Sequence, residues 1–329
     1  MATPVPADAH RDDGGNDFLL GESSTAAGAR LPRTSLRYRV YGDPEAGRRL
    51  GWTLVFHDLA GEARVERWWG HHLRPGGALD PRVRPLLCAQ LLPRHTEAPL
   101  PSLAPRDLAA MQDALLAHLR IERVALGVGV SLGGMVALEW ARRARVAIDR
   151  LVVIAAPAVT SPQVIAWHEA QRMAIEAGGP AAGLAAARAL ATVLRRSSSE
   201  LTARFGRGRT LDADDFDVAR FLRASAGRPA GPGAGPDAAG WLALLRTADL
   251  HDLGDPERAG RETAARARRV VGVGISTDSL HPPGEVRAWV RAYARVGAAA
   301  EYREIASIHG HDAWLHEHDQ VEAILAGRD

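Results

Sequence analysis

Short runs of apolar residues recur along the chain and alternate with segments of helical periodicity. Six runs have the length of a buried strand; they span residues 52–57, 84–91, 123–128, 150–155, 269–275 and 300–305. Residues 107–119 instead place leucine and methionine at spacings of three and four, which predicts an amphipathic helix. Strands that alternate with helices predict an α/β fold, in which helices cover both faces of a mostly parallel sheet.

The alternation stops between about Ser161 and Glu262, where every pattern is helical. Four helices are predicted there, over residues 164–177, 181–195, 214–225 and 239–247. Residues 227–236, rich in glycine and proline, are predicted to join the last two helices as a solvated connector. A helical block inserted between two strands of one sheet resembles a lid. We therefore predict a core of residues 34–160 and 263–329, with an inserted helical lid of residues 161–262.

Residues 1–33 are rich in Ala, Asp, Gly and Thr. They contain neither the basic segment nor the apolar run of a signal peptide, so we predict a disordered leader. No run of 18 apolar residues occurs in the chain, which predicts no transmembrane helix. A protein of the cytoplasm, without contact to a membrane, is the expectation.

Composition narrows the classes of function. The formal net charge of the 329 residues is only +2, although all 41 basic residues are arginine, so no excess of charge indicates nucleic acid as a partner. The single cysteine, Cys88, lies in an apolar run and is expected to be buried, with no disulfide framework. The 46% of hydrophobic residues suffice for a substantial core.

The most informative motif follows the third apolar run. Gly129, Ser131 and Gly133 form a G-x-S-x-G sequence between a predicted strand and a helix-like segment, residues 135–141. This is the context of a nucleophile elbow, a tight turn that exposes a serine oxygen above the sheet. N–H groups at the start of the following helix, that of Leu132 first, can stabilise an oxyanion. The alternative is an ordinary glycine-rich turn of a nucleotide-binding fold.

A nucleophilic serine needs a base, and the base needs an acid that orients it. After a nucleophile elbow, the acid and then the base follow along the chain on loops after late strands. Asp278 follows the fifth apolar run, and both His309 and His311 follow the sixth. Spacing alone does not choose between the two histidines.

The second oxyanion donor should come from the loop after the first run, where the N–H near Leu59 could serve. A metal site is the competing use for the cluster of His309, His311, His316 and His318. No metal is predicted, because the chain has neither an H-E-x-x-H motif nor paired cysteines.

Motifs spread from about Leu36 to Leu325 are together similar to those of the homoserine O-acyltransferases, a family of the α/β-hydrolase superfamily. The matching stretches are residues 57–61, 68–70, 77–80, 105–107, 131–135, 137–140, 183–188, 204–207, 249–252 and 310–315. The most specific are the elbow with its double glycine and methionine and the Gly-His-Asp-Ala stretch, residues 310–313. The resemblance implies the α/β-hydrolase fold with an inserted helical lid.

The resemblance also implies roles for individual residues. It selects His311 over His309 as the base, with Ser131 as nucleophile and Asp278 as acid. It adds two contacts to homoserine: Arg188 would bind the carboxylate and Asp312 the ammonium group. No bound cofactor is implied, since acyl-CoA is a co-substrate, and a homodimer is usual in the family.

The implied reaction is ping-pong acyl transfer in methionine biosynthesis. Ser131 takes the acyl group from succinyl-CoA or acetyl-CoA, and homoserine then takes it from the serine, giving O-succinyl- or O-acetyl-L-homoserine. Serine is an alternative acceptor. An esterase or thioesterase with the same triad, and a non-catalytic paralogue, are the alternative functions.

Two departures from the family bear on specificity. The longer acetyltransferases carry an Asn-x-Leu-Gly stretch and a Gly-Ser-Thr-Gly-Pro stretch that residues 92–99 lack. The layout is therefore closer to that of the shorter homoserine O-succinyltransferases. In addition, Arg195 stands where the family usually has a tyrosine. The acyl donor stays open on this basis.

Overall fold

All six apolar runs form strands of one sheet in the computed structural model, which describes residues 15–94, 100–210, 215–226 and 236–328. The strands are β1 (Asn16–Leu20), β2 (Ser23–Ser24), β3 (Arg30–Leu31), β4 (Thr34–Tyr41), β5 (Trp52–Phe56), β6 (Leu86–Ala89), β7 (Arg123–Val130), β8 (Ala147–Ile148), β9 (Leu151–Ile154), β10 (Arg209–Thr210), β11 (Asp215–Phe216), β12 (Val270–Ile275) and β13 (Ala300–Ile305). The α-helices are α1 (Pro44–Leu50), α2 (Glu66–Leu73), α3 (Pro105–His118), α4 (Leu132–Ala141), α5 (Pro162–Gly178), α6 (Leu184–Arg195), α7 (Ser198–Phe205), α8 (Asp217–Ala226), α9 (Ala238–Asp249), α10 (Pro256–Ala264), α11 (Pro283–Arg295) and α12 (His318–Ala326).

The large sheet has the strand order β1-β4-β6-β5-β7-β9-β12-β13, with β8 paired to β7. From β6 to β13 neighbouring strands are parallel, whereas β4 pairs antiparallel with both of its neighbours, β1 and β6. Successive side chains of a strand point to opposite faces. Leu54 therefore packs in one hydrophobic core with Trp140 of α4, and Val55 packs in a second core with Trp69 of α2. The predicted fold class, an α/β-hydrolase fold, is confirmed.

The structure corrects the predicted leader over residues 15–33. Strand β1 pairs antiparallel with β4, and β2 pairs with β3. An ion pair between Arg37 and Asp17, at 2.7 Å, joins β4 to β1, and the Ala26 N–H donates to the Asp107 carboxylate at 2.6 Å. Residues 1–14 lie outside the described residues. The strand escapes pattern analysis because backbone hydrogen bonds and polar contacts hold it at the sheet edge, with Leu19 exposed.

Between β9 and β12 the chain forms the predicted helical block. Helices α5, α6, α8 and α9 correspond to the four predicted ones, and the structure adds α7 and the short pair β10–β11. Helix α10, which the predicted boundary at residue 262 divides, packs against α4 and α11, and Glu262 accepts from Arg142 at 2.7 Å. We therefore propose that the lid ends before α10. Residues 95–99, 211–214 and 227–235, which include most of the predicted connector, lie outside the described residues.

Within the described residues, one helical stretch, Pro162–Arg195, is long and apolar enough to cross a membrane by length and composition. A π-helical turn, Gly179–Gly183, interrupts it, and its inner face packs against Trp241 of α9. Its outer face leaves Met173 and Val193 exposed. One such stretch is weak evidence for a membrane, and an exposed apolar face also suits the homodimer, which stays a prediction.

Candidate active site

Strand β7 ends in a sharp turn that carries Ser131, and α4 begins directly after it. Ser131 has φ 54° and ψ −123°, a sparsely populated conformation for a residue with a side chain. Its N–H donates to the Ile154 carbonyl at 2.9 Å. This hydrogen bond fixes the strained turn to the end of the neighbouring strand β9.

Glycine on either side of the serine lets α4 close over the sheet. A Cβ on Gly129 would lie 2.8 Å from Ala137 in α4. A Cβ on Gly133 would meet the carbonyl groups of Phe56 and His57 at the end of β5. The turn therefore contacts the loop after β5 directly, because neither glycine has a side chain to hold the two apart.

The loops after β12 and β13 bring Asp278 and His311 to the serine. His311 Nε2 lies 2.9 Å from Ser131 Oγ, and His311 Nδ1 lies 2.7 Å from Asp278 Oδ2. All three residues are buried. The other oxygen of Asp278 accepts the N–H groups of Leu280 and His281, at 2.9 and 3.0 Å. The row of hydrogen bonds has the geometry of a nucleophile, a base and an orienting acid.

The charge on Asp278 influences the protonation of His311. Burial opposes a charged imidazole, yet the charge and the hydrogen bond of Asp278 together raise the pKa of His311 above its ordinary value. The ring of His281 lies 5.3 Å from that of His311, and burial lowers the pKa of His281 well below its ordinary value. Near neutral pH, His281 is therefore uncharged and adds no positive charge beside the triad.

His309, the rival that spacing left open, lies away from the serine. Its Nδ1 is 3.6 Å from Glu200 and its ring is 4.4 Å from that of His316. The ring of His318 stacks on His71. In the part of the chain that the structure describes, no group of three or more His, Cys, Asp or Glu side chains is arranged to hold a metal ion.

The two predicted oxyanion donors line one cavity. Leu132 is the first residue of α4, so its N–H has no acceptor within the helix. Leu59 lies in the loop after β5. The hydrogen bonds of His57 anchor the start of this loop. The Leu91 N–H donates to His57 Nε2 at 3.1 Å, so Nδ1 carries the proton and donates to the Asp58 carbonyl at 2.7 Å. Burial lowers the pKa of His57, which keeps this anchor neutral.

The serine opens into a cavity of about 50 Å³ between the sheet and the helical block. Most of the lining is apolar: Leu59, Leu132, Met135, Ala191, Leu194, Trp241, Leu245, Ala248 and Leu280. Seven polar or charged side chains complete the lining, as is typical of a site for a small molecule. Besides Ser131 and His311 they are five that were not predicted as site residues: Asp58, His168, Gln171, Arg195 and His281. The ring of His168 is held by Asp249 at 2.6 Å.

Asp312 lies beside this cavity, in a cleft of about 960 Å³. Its side chain is buried, and its carboxylate is 3.6 Å from Arg195 Nε and 3.8 Å from Arg196 Nε. The structure therefore brings this predicted substrate contact to the edge of the site, next to His311 in the chain.

Arg188, the other predicted substrate contact, lines neither the cavity nor the cleft. Its guanidinium group donates to the Pro236 carbonyl at 2.9 Å and lies 5.9 Å from the centre of the Trp241 ring. Trp241 itself lines the cavity. Arg195, two turns further along α6, faces the space that Arg188 was expected to reach.

Gly310→Ala is expected to lower the free energy of unfolding by about 2–4 kcal/mol and to reduce activity. Gly310 has φ +63°, and a Cβ there would lie 2.5 Å from the Arg195 carbonyl and 2.7 Å from the Ser197 N atom. Urea denaturation measures the change. Gly76→Ala is the control, because Gly76 has φ +78° and open space around it. An equal loss in both variants would show that backbone strain alone, and no clash beside His311, is responsible.

No protein-family model matches the chain. A homoserine O-acetyltransferase of Thermus thermophilus is 36% identical over 92% of this chain and 87% of its own length. The X-ray structure of a homoserine O-acetyltransferase from Bacillus anthracis has a TM-score of 0.82 at 19% identity and covers 95% of this chain and 96% of that one. Esterase E22 has a TM-score of 0.82 at 17% identity and covers 95% and 98%.

The two structural likenesses show the fold, and they include a transferase as well as an esterase. The sequence identity to the Thermus protein, over nearly the whole chain, shows the family and confirms the resemblance found in the motifs. The chain therefore belongs to the homoserine O-acetyltransferase family, a group of acyltransferases built on the α/β-hydrolase fold.

Proposed function

We propose that the protein transfers an acetyl group from acetyl-CoA to the hydroxyl group of L-homoserine, giving O-acetyl-L-homoserine and free CoA. The observation that carries the proposal is the hydrogen-bonded row Ser131–His311–Asp278 in a member of an acetyltransferase family. The product would be an activated homoserine for methionine biosynthesis.

The first half of the proposed reaction acetylates the enzyme. Ser131 Oγ attacks the thioester carbonyl carbon while His311 Nε2 takes the hydroxyl proton. The N–H groups of Leu132 and Leu59 stabilise the resulting oxyanion, with about 3–4 kcal/mol from each donor in comparable sites. The C–S bond then breaks, His311 returns the proton to the sulfur, and CoA leaves as a thiol. Asp278 holds the histidine and stabilises its charged form.

The second half transfers the acetyl group. The homoserine hydroxyl replaces CoA beside His311, which takes the hydroxyl proton as the oxygen attacks the acetyl carbonyl carbon. The same two N–H groups receive the oxyanion. When the bond to Ser131 Oγ breaks, His311 gives the proton back to the serine. Asp312, next to His311, offers a carboxylate for the ammonium group of the substrate.

The cleft beside the cavity suits the phosphate groups of CoA. Its lining includes six arginines and three carboxylates; these are Arg37, Arg39, Arg64, Arg67, Arg94 and Arg195, with Asp58, Glu62 and Asp312. The cleft and the cavity share part of their lining, so a long donor lying in the cleft can reach the serine. Guanidinium groups are well suited to phosphate. We place the nucleotide end of the donor here.

Acetyl-CoA is favoured over succinyl-CoA as the donor. Mostly apolar side chains surround Ser131, which suits a methyl group. A succinyl chain would bring a second carboxylate, and the cation nearest to it, Arg195, already lies between Asp58 and Asp312. The Thermus relative is likewise an acetyltransferase.

Hydrolysis is the second candidate, because esterase E22 has the same fold. In an esterase, water would deacylate the serine. The narrow, largely apolar cavity under the helical block opposes this, because it limits access of water to an acyl-serine.

The test is an assay of the pure protein with acetyl-CoA or succinyl-CoA and with homoserine, serine or water as acceptor. We expect homoserine to accelerate CoA release and O-acetylhomoserine to be the product by mass spectrometry. We also expect the KM for acetyl-CoA to increase with ionic strength, since arginines bind its phosphates. CoA release at the same rate with and without homoserine would instead identify a thioesterase.

A further inference from the structure

Two buried histidines line the cavity at Ser131 and take no part in the proposed reaction. His168 lies in α5 and His281 lies in the loop between β12 and α11. The two residues are only 6% and 3% exposed. They place imidazole nitrogens in a cavity whose lining is otherwise mostly apolar, and we call them the histidine pair.

His168 is held in one orientation from behind. Its Nδ1 atom lies 2.6 Å from Asp249 Oδ1, and Asp249 Oδ2 accepts from Arg172 at 2.7 Å. Nδ1 therefore carries a proton and donates it to Asp249, because a carboxylate only accepts. Nε2 has no hydrogen-bond partner among the described residues, so a group in the cavity is left to provide one.

His281 makes no side-chain hydrogen bond within the described part of the chain. Its backbone N–H donates to Asp278 and its ring lies 5.3 Å from that of His311, but its Nδ1 atom is buried without a partner. Burial, and then charge on His311 or His168, lowers the pKa of His281. The ring is therefore neutral near neutral pH, with one donor and one acceptor that both need a partner.

The alkyl chain of an acyl-serine would extend towards the histidine pair. Its carbonyl oxygen would face the N–H groups of Leu132 and Leu59, and the leaving or attacking atom would lie beside His311. The third substituent of the carbonyl carbon has to point away from both, towards the helical block. The cavity of about 50 Å³ has room for only a few water molecules, so a chain longer than acetyl reaches the two imidazoles.

Imidazole nitrogens at this place disfavour an apolar chain. A methyl group is short enough for the histidine pair to keep water as a hydrogen-bond partner. A propionyl or butyryl group would replace that water with CH groups, which leaves buried polar atoms unsatisfied. A site with such atoms rejects an analogue that cannot bond them more strongly than an apolar pocket of equal size does.

We propose that His168 and His281 are specificity-determining residues for the acyl donor, which admit an acetyl group and reject longer apolar acyl groups. The proposal rests on the acyl-serine of the proposed function and names the residues that limit the length of the acyl chain.

His281→Leu and His168→Leu test the proposal, because leucine is close to histidine in size and has no polar side-chain atom. The measurement is the ratio of kcat/KM for butyryl-CoA to kcat/KM for acetyl-CoA. We expect this ratio to rise roughly 10-fold in either variant and further in the double variant. A ratio cancels any general loss of rate that follows from the contact of His281 with His311.

Two further variants separate polarity from shape. His281→Gln keeps a donor and an acceptor in the side chain, so it should keep the wild-type preference for acetyl-CoA. His118→Leu is the matched control for loss of a histidine; His118 is exposed at the end of α3, stacked on Phe18, and its removal should leave the ratio unchanged.

Intact-mass spectrometry of the acyl-enzyme measures the same preference without any acceptor. If wild type forms acetyl-serine in preference to butyryl-serine but homoserine does not take the acetyl group, the proposed function fails and the role of the histidine pair stands. Equal acylation of wild type by both donors would overturn that role. An unchanged ratio in the leucine variants would do so too, as would an equal shift in His281→Gln and His281→Leu.

Discussion

Ser131→Ala is expected to reduce kcat for acetyl transfer by roughly 10⁵- to 10⁶-fold, because the variant keeps the cavity but loses the atom that carries the acyl group. No acetylated protein should accumulate with acetyl-CoA, which intact-mass spectrometry measures directly. The fold should persist, since the hydrogen bond that holds the turn runs from the backbone N–H of residue 131 to the Ile154 carbonyl and does not involve the side chain.

Ser225→Ala is the matched control for this loss. Ser225 lies in α8, and its hydroxyl donates to the Leu222 carbonyl at 3.0 Å, so its removal should leave turnover unchanged. Equal transfer by wild type and Ser131→Ala would refute the triad. A wild type without activity towards any acyl-CoA would support the non-catalytic paralogue instead.

Asp278→Asn is expected to lower kcat by about 10⁴-fold, as loss of the orienting acid does in comparable triads. The change also has a signature in the pH profile. Asp278 raises the pKa of His311, and only the neutral imidazole can take the serine proton. Activity of the wild type should therefore rise with pH through a pKa above the ordinary histidine value. Removal of the charge should move this acidic limb to lower pH.

Measurement of kcat/KM between about pH 5 and pH 9 shows whether the acidic limb of the profile moves when the charge of Asp278 is removed. Asp252→Asn serves as the control, because Asp252 is exposed and its carboxylate accepts the Gly254 N–H in a loop. If Asp278→Asn loses rate but keeps the acidic limb of the wild type, the limb belongs to another group and not to His311.

The sequence predicts the buried strands well because their signal is local. Residues 123–128 and 269–275 are largely apolar runs, and they form β7 and β12, each of which has a strand on both sides in the sheet. Strand β4 was missed although its pattern is readable, since it alternates buried Leu36 and Tyr38 with the half-buried Arg37 and Arg39. A search for continuous runs cannot find such a strand.

The candidate site was predictable to different degrees. The turn at Ser131 depends on Gly129 and Gly133, each two residues away, so a few residues of sequence are enough to predict it. The choice of His311 depends on the folded loop, which turns His309 towards Glu200. Arg195 could not be ranked at all, because every basic residue in the chain is arginine, and only the fold shows which one lines the cavity.

The helical block begins after β9 and ends before α10, and its two ends are hydrogen-bonded to each other: the Thr160 N–H donates to the His251 carbonyl at 3.0 Å, and the Leu253 N–H donates to the Ala158 carbonyl at 2.9 Å. The entry and exit of the block are thus close together, and the entropy cost of closing such a loop grows only slowly with its length. Evolution can therefore exchange or resize this module without altering the register of the sheet. Arg195, which lines the cavity from the end of α6, belongs to the exchangeable part, whereas Ser131, Asp278 and His311 follow strands of the sheet. One catalytic sheet can in this way be inherited by both transferases and esterases.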